Sequence, residues 1–299
     1  MWNLEEEYVL RDDLIEKVIS KANEGDGMLS RSELGRFEYA GQVLRLIDQY
    51  GGIWNPGASW PLGEELRATL SINTTKSGKY EDQEVSGGLW RYDYQSGGTA
   101  GKNTKMRKAM ELQLPLIWFV QQESGRYVPY RVFIINDFPD EGYCLIAPDL
   151  SLATASRSES LIERRYAERM MKQRLHQPAF RARVISAYET KCAICRLSHG
   201  RLLDAAHITP DSDEASSTSV TNGLSLCKIH HAAYDINIVG IDPDYTVHVR
   251  SDILSETDGP MLEHGIKEMD KAKLWVPSSP GEKPDQARLE NRYKDFLNQ

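Results

Sequence analysis

Two short runs constrain this chain more than anything else in it: Cys192-Ala-Ile-Cys195 and Cys227-Lys-Ile-His230. Three thiols and an imidazole at this spacing match a closed tetrahedral zinc site, in which soft ligands fill all four positions. A lone Cys-x-x-Cys is weak evidence, but a second pair downstream makes it strong. The competing reading is a set of cysteines that merely pack. The stretch between the pairs, Arg196 to Leu226, is mostly polar and cannot hold a core by itself. A metal bridging its two ends would supply the missing cohesion, with folding and metal binding coupled. The fourth cysteine, Cys144, stands apart in Gly-Tyr-Cys-Leu-Ile. This usage fits a reducing cytoplasm and argues against a disulfide framework.

The chain has 299 residues, enough for two domains. It lacks an apolar run long enough to cross a bilayer. Its start, Met-Trp-Asn-Leu-Glu-Glu-Glu, has no signal-peptide layout, so a cytoplasmic location and no membrane partner are expected. The net charge of −8 argues mildly against nucleic-acid binding. The charge is uneven, however. Arg164, Arg165, Arg169, Lys172, Arg174, Arg181 and Arg183 lie close together, opposed only by Glu163 and Glu168. A stripe of this kind neutralises phosphates while acidic surface elsewhere faces water. The plainer reading is a solvated helix face.

Leu14, Ile15, Val18, Ile19 and Ala22 have helical spacing, and Ser30 with Glu33 forms a capping-box pattern for a second short helix. Phe37 to Ile47 reads as strand, tight turn, strand. Ala68 to Ile72, Leu89 to Tyr94, Leu114 to Val120 and Tyr130 to Ile135 read as further strands, with a basic helix over Lys102 to Leu112. Asp149 to Ser160 is Ser-rich and marks a boundary. A long helix is expected over Leu161 to Tyr188, with a break at Pro178. Asn237 to Ile241 and Thr246 to Val249 flank the turn Asp242-Pro243-Asp244 and predict a hairpin; a closing helix is expected at Gln286 to Leu297. The fold class is α+β. Three parts are expected: a β-rich domain over 1–150, a Ser-rich linker and basic helix over 151–188, and a zinc-stabilised domain over 189–299.

Within the last part, His207 in Asp204-Ala-Ala-His207-Ile208, then Asn222, then His231 follow in order. Taken alone, His207 reads as a packed histidine. Residues 174–241, through Phe180-Arg-Ala-Arg-Val-Ile-Ser-Ala-Tyr188, Cys-Ala-Ile-Cys, Asp-Ala-Ala-His-Ile and Asn222-Gly-Leu-Ser-Leu-Cys-Lys-Ile-His-His-Ala-Ala-Tyr-Asp235, resemble the HNH endonucleases, especially their McrA-like, modification-dependent branch. The resemblance implies a ββα-metal fold and a metal-dependent endonuclease that hydrolyses phosphodiesters, leaving 5′-phosphate and 3′-hydroxyl ends. It implies His207 as general base and Asn222 as a residue that orients it or its loop. His231, with Asp235 or Asp204, would hold a catalytic Mg²⁺ or Mn²⁺. His230 is expected to face zinc and His231 the active site, with the reverse assignment as the alternative. Asp235 follows His231 by one helical turn, so both share a face. Asp204 lies three residues before His207 and would need a bulge to join it. The family often has Asp or His immediately before its first histidine; Ala206 stands there in this chain.

Trp54, Tyr80, Trp90, Tyr92 and Tyr94, interleaved with Asn73, Asp82 and Asp93, punctuate the β-rich half. With Gly52-Ile-Trp54-Asn-Pro56 and Pro115-Leu-Ile-Trp-Phe, they are similar to the SRA-like, PUA-superfamily barrels fused to such nucleases. That likeness implies a reader of an extruded, modified cytosine, with Trp54, Tyr80, Trp90, Tyr92 and Tyr94 as stacking walls and Asp82 among the edge-reading groups. The aromatics would otherwise be barrel core. Arg164, Arg165, Arg169, Lys172 and Arg174 would contact DNA phosphates. The whole reads as a restriction endonuclease acting on double-stranded DNA with modified cytosine, with a homodimer left open. A zinc-containing DNA-binding module without catalysis is the alternative.

Overall fold

The computed structural model describes residues 3–49, 51–57, 60–63, 65–75, 83–85, 89–94, 101–148, 176–211, 213 and 216–298. The chain divides into two units, 1–22 with 28–178 and 23–27 with 179–299. It is mixed α+β, and no helix among the described residues is long and apolar enough to cross a membrane.

The first unit opens with helix α1 (Leu4–Glu24), longer at both ends than its apolar spacing predicts. The capping box forms as expected. Ser30 accepts from the Glu33 backbone, Glu33 accepts from that of Ser30, and α2 (Arg31–Gly35) follows β1 (Leu29–Ser30). Strands β2 (Phe37–Tyr39) and β3 (Gln42–Leu44) pair across a two-residue turn in which Ala40 and Gly41 both have positive φ. Next come β4 (Ile53–Trp54), β5 (Ser71–Thr74), β6 (Gln83–Val85) and β7 (Leu89–Asp93). Helix α3 (Lys102–Glu111) leads to β8 (Leu116–Glu123), β9 (Arg126–Phe138) and β10 (Tyr143–Ala147).

Apart from the β2–β3 hairpin, these strands form one sheet in the order β4-β5-β8-β9-β10-β7-β6, with β1 also on β9. The thirteen-residue β9 explains its curl. Its first half pairs with β8 and its second half with β10, so the sheet turns about β9 into a half-barrel. Alternation along β8 sends Ile117 and Phe119 into a core with Leu14, Ile15 and Val18 of α1, while Trp118 faces the other side.

One charged pair lies inside this core. Arg11 and Glu7 are fully buried, 2.9 Å apart on one face of α1. Arg11 also donates to the carbonyls of Ala68 (2.7 Å), Thr69 (2.7 Å) and Pro115 (3.1 Å), and Glu7 accepts from the Arg67 backbone. The pair thus ties α1 to the chain entering β5 and β8.

Most of α4 (176–187) belongs to the second unit, and its described turns run through Pro178 without a break. Phe180, Val184, Ile185 and Tyr188 are in the same apolar core as the residues of the Cys/His segment, ahead of the expected domain start at 189. Arg181 draws in the 23–27 segment, donating to Asn23 (3.2 Å) and to the carbonyls of Gly200 (2.8 Å) and Leu203 (3.2 Å). Strands β11 (Leu203–His207) and β12 (Gly223–Cys227) form a hairpin-like pair, and α5 (Lys228–Asp235) follows at once. The predicted hairpin is β13 (Val239–Ile241) with β14 (Val247–Val249). Short helices α6 (Ser251–Ser255) and α7 (Pro260–Gly265) and the closing helix α8 (Gln286–Leu297) complete the unit.

Removing one member of a buried pair leaves the other charge uncompensated, which costs about 3–5 kcal/mol. Arg11→Ala is therefore expected to lower the stability of the first unit by about that amount in urea unfolding, while the second unit unfolds as before.

Candidate metal centre and nuclease site

Cys192, Cys195, Cys227 and His230 bring four ligand atoms within 4.8 Å of one another. The separations are 3.6 Å from Cys192 Sγ to His230 Nδ1, 3.3 Å from Cys227 Sγ to His230 Nδ1, and 4.0 Å between the Cys195 and Cys227 sulfurs. Zinc bonds of about 2.3 Å to sulfur and about 2.0 Å to nitrogen require tetrahedral edges of roughly 3.5–3.8 Å. The donor set therefore fits zinc in chemistry and in size, and its four ligands leave no open position for catalysis.

The backbone builds this site in two pieces. The first is a tight knuckle: the Arg196 N–H donates to the Cys192 carbonyl (3.0 Å), and the Cys192 N–H to that of Leu197 (3.0 Å). Arg196 takes a positive φ to close it, and the Lys191 and Arg196 cations lie over the Trp275 ring. The second piece is the start of α5. Cys227 occupies the N-cap and makes no side-chain cap, so its sulfur stays turned toward the cluster. Hydrogen bonds from Cys192 and Cys195, then from His230, push the Cys227 thiol far below its ordinary range. His230 uses Nδ1 toward the cluster and donates Nε2–H to the Gly265 carbonyl at 2.7 Å, which fixes its tautomer and ring plane.

A second cluster lies on the other face of α5. Successive helix residues are rotated by about 100°, so His231 points away from His230. Its Nδ1 is 3.3 Å from Asp204 and its Nε2 is 3.4 Å from Asp235, one turn along α5. Lys228 also holds Asp204, at 2.5 Å. The His231 contact, followed by Lys228, lowers the Asp204 pKa to about 2, and Asp204 in turn raises that of His231. The bulge expected at Asp204 is not needed. β11 runs in unbroken register from Leu203 to His207, with Asp204 reaching α5 from the strand. The two aspartates take opposite nitrogens of His231. Among the described residues, only the Cys/His set gathers three or more ligand atoms this closely.

His207 ends β11, half-buried, with its ring stacked on Phe180 at 4.0 Å and 13°. Burial lowers its pKa, Asp211 opposes that, and His231 and Asp235 are also close enough to act on it. Opposite it in the pair stands Gly223. A Cβ there would lie 2.4 Å from Val184 and 3.0 Å from Phe180, so only glycine lets α4 approach and press Phe180 onto His207. Asn222 is fully buried and holds the loop behind His207 rather than His207 itself. Its side-chain oxygen accepts from Thr209 N–H (2.8 Å), and its amide donates to the carbonyls of Thr209 (3.2 Å) and Ser217 (2.9 Å).

Among the described residues, the expected base-reading side chains have different surroundings. Trp54 packs on the α1 core and donates to the Arg45 carbonyl at 2.8 Å. Tyr92 is buried with its hydroxyl on the Gly52 carbonyl, and Tyr94 is buried against Asp137, which also receives Arg107 at 2.8 Å. Trp90 meets Trp118 at 5.1 Å, and Trp118 meets Tyr130 at 5.5 Å. Alternation places Trp90, Tyr92 and Tyr94 on that same face. Trp118 and Tyr130 are thus members of the aromatic cluster that the sequence pattern did not single out. Tyr80 and Asp82, and likewise Arg164, Arg165, Arg169, Lys172 and Arg174, lie outside the described residues. Of the remaining basic stripe, Arg181 is held internally as above and Arg183 donates to the Thr218 carbonyl at 2.9 Å.

If the Cys/His set is a zinc knot, the purified protein will carry one zinc per chain by metal analysis. Stripping it with a chelator will abolish cooperative unfolding of the second unit and leave that of the first. A fully cooperative, zinc-free second unit would contradict this.

No curated protein matches the chain in sequence. Among solved structures, a modification-dependent TagI restriction endonuclease is similar at 14% identity and a TM-score of 0.33, covering 91% of this chain and 92% of that one. An SRA domain of SUVH5 in complex with methylated CHH DNA is similar at 18% identity and a TM-score of 0.27, over 41% of this chain and 83% of that one. ScoMcrA, a type IV phosphorothioation-dependent restriction endonuclease, is similar at 10% and 0.24, over 84% and 56%. Scores of this size do not establish a shared fold. The family model described as HNH endonuclease matches residues 192–242, the segment that carries the Cys/His knot and the His207, Asn222 and His231 arrangement. Residues 192–242 are an HNH endonuclease domain.

Proposed function

We propose that the chain is a DNA endonuclease that hydrolyses phosphodiester bonds, restrained by its first unit to DNA carrying a modified cytosine. The observation that carries the nuclease reading is the placement of a half-buried imidazole, His207, near the carboxylate-flanked His231 where the end of β11 meets α5. Burial lowers the His207 pKa and so favours the neutral form that a general base needs. Phe180 fixes its ring, and Asn222 fixes the loop that follows. The His207 imidazole takes a proton from the attacking water as oxygen bonds to phosphorus and the bond to the 3′ oxygen breaks.

His231 Nε2 and Asp235 are the residues that would hold a divalent cation such as Mg²⁺ or Mn²⁺, whose chemistry is to neutralise the scissile phosphate and the departing oxygen. Asp204, the other candidate metal ligand, is given a positioning part in this reading. It accepts the His231 Nδ1–H and so orients the ring, as carboxylates behind metal-ligating histidines do. The zinc knot has a structural role, holding α5 against the β11–β12 pair.

For the first unit, the aromatic face of the half-barrel supports a base reader. Trp90, Trp118 and Tyr130 make a contiguous aromatic wall. The Trp90 indole N–H is buried and has no hydrogen-bond partner among the described residues. A base edge supplies the acceptor that such a donor lacks, and the rings supply the stacking surface. Arg164, Arg165, Arg169, Lys172 and Arg174 are proposed as phosphate contacts.

The deciding experiment is cleavage of matched duplexes carrying cytosine, 5-methylcytosine, 5-hydroxymethylcytosine or its glucosylated form, with Mg²⁺ or Mn²⁺. Cleavage is expected on at least one modified duplex and not on the unmodified one. His207→Ala should lower the rate by about 10²–10⁴ with DNA binding retained. Binding without cleavage by the wild type would instead favour a catalytically inactive DNA-binding module. Equal cleavage of all duplexes would remove the modification reading and leave the nuclease.

The pH profile offers a second check. A base is active when neutral, and His207 sits below the ordinary imidazole value of 6.5. With the divalent cation saturating, so that His231 stays unprotonated as a ligand, activity is expected to persist as pH falls through 6.5 and to be lost on an acid limb below it. Trp90→Ala is expected to cost about 1–3 kcal/mol in binding to modified duplex, measured by titration.

A further inference from the structure

The closing helix α8 lies outside the segment that matches the nuclease family, yet it grips both elements that carry the proposed chemistry. At its start, the Asp285 N–H donates to the carbonyl of Thr221, next to Asn222 (2.9 Å). One turn in, Arg288 Nη1 donates to Thr209 Oγ1 at 2.9 Å, on the loop that follows His207. One turn further, Arg292 Nη2 donates to the carbonyls of Tyr234 (2.8 Å) and Asp235 (3.3 Å). These are the last two residues of α5, where the helix ladder ends; the Tyr234 carbonyl also accepts the Asn237 N–H at 3.2 Å. A guanidinium there satisfies the carbonyls and complements the negative end of the helix dipole. It also lies 5.1 Å over the Tyr234 ring.

The helix is seated independently of these arginines. Leu289 is fully buried, and Phe296 packs over Gly240 so closely that a Cβ there would lie 2.5 Å from the ring. Between α8 and the Thr209 loop is a cavity of about 430 Å³. Asp213, Asp285 and Asp295 line it alongside Arg288 and Arg292, so it is too acidic to serve as a phosphate groove.

We propose that α8 is a clasp, with Arg288 and Arg292 as positioning residues that set the distance between His207 and Asp235. This inference rests on the nuclease reading, in which those two residues act on one phosphate. Misplacement of catalytic groups by about 1 Å can cost about a hundredfold in rate. Fraying of the last turn of α5 would move Asp235 by that order, because Asp235 ends the helix.

The test compares Arg288→Ala, Arg292→Ala, Arg292→Lys and a control, Lys294→Ala, on the exposed side of the same helix, in full-length protein with zinc content and thermal midpoint measured for each. Single-turnover cleavage and DNA binding are followed across a salt series. Arg292→Ala is expected to lower kcat by about ten- to a hundredfold with KM and salt slope unchanged. Arg288→Ala should do so to a smaller extent. Arg292→Lys keeps a donor for one carbonyl and should recover several-fold of the loss, and Lys294→Ala should match wild type. The clasp is overturned if Arg292→Ala stays within twofold of wild type. It is overturned equally if the loss appears in KM with a flatter salt slope, which marks a phosphate contact, or if it only follows zinc release or a fallen midpoint. Failure of the nuclease reading looks different: the wild type and His207→Ala are then alike and inactive, and the clasp falls with it.

Discussion

The arrangement of the second unit depends on one constraint: two adjacent histidines on a short helix face two different side-chain clusters. α5 has eight residues, too few to be stable alone. Its first turn is held by the Cys227 and His230 ligands, and a tetrahedral ion would fix the rotation of the helix about its axis. Once His230 faces the knot, His231 is turned by about 100° toward β11, where Asp204 receives it. The spacing of the Cys/His set thus determines the direction of a residue outside it. The Gly265 carbonyl behind His230 extends the same constraint to α7.

The knot and the order His207, Asn222, His231 were legible because each depends on residue type and spacing alone. Local signals were legible too. The Ser30–Glu33 box, the β2–β3 turn and the β13–β14 hairpin need only neighbours in sequence. Contacts between distant segments were not legible. The role of Asp204 turned on which helix passes over β11, and no spacing along the strand encodes that. Phe180 stood in a quoted motif, but its stacking on His207 follows from Gly223 in another strand, which permits the approach. Trp118 read as one residue in a buried strand. Only the turning of the sheet about β9 brings it against Trp90 and Tyr130.

Aromatic residues in the first unit show the limit of composition as a guide. Trp54 and Tyr92 have the right chemistry for stacking, but each has its polar end tied to a backbone carbonyl. Trp54 also packs on the core beneath α1. A ring held in this way has its polar edge committed to the fold. Trp90 differs in one respect: its ring joins the wall while its N–H lacks an acceptor among the described residues. Burying a donor without a partner costs about 1–3 kcal/mol, so a site that keeps one has a reason to gain an acceptor from outside.

Charge is the remaining tension, since DNA is a polyanion and the chain itself carries a net charge of −8. The arginines best placed around the nuclease site are already engaged. Arg181, Arg183 and Arg292 donate to backbone carbonyls, and Arg288 to Thr209. Engaged guanidiniums stiffen the site but add little to phosphate attraction, because their donors are taken and nearby aspartates offset their charge. On the proposed function, such a site would orient a phosphate and add little to gathering DNA. The charge that gathers DNA must then sit on a separate element, and in this sequence the dense run of Arg164, Arg165, Arg169, Lys172 and Arg174 fits that role. Separating attraction from positioning also suits a nuclease that must not cut wherever it touches. Loose binding through the basic run would be common to all DNA, while the geometry at His207 would matter only on duplexes held long enough by the first unit.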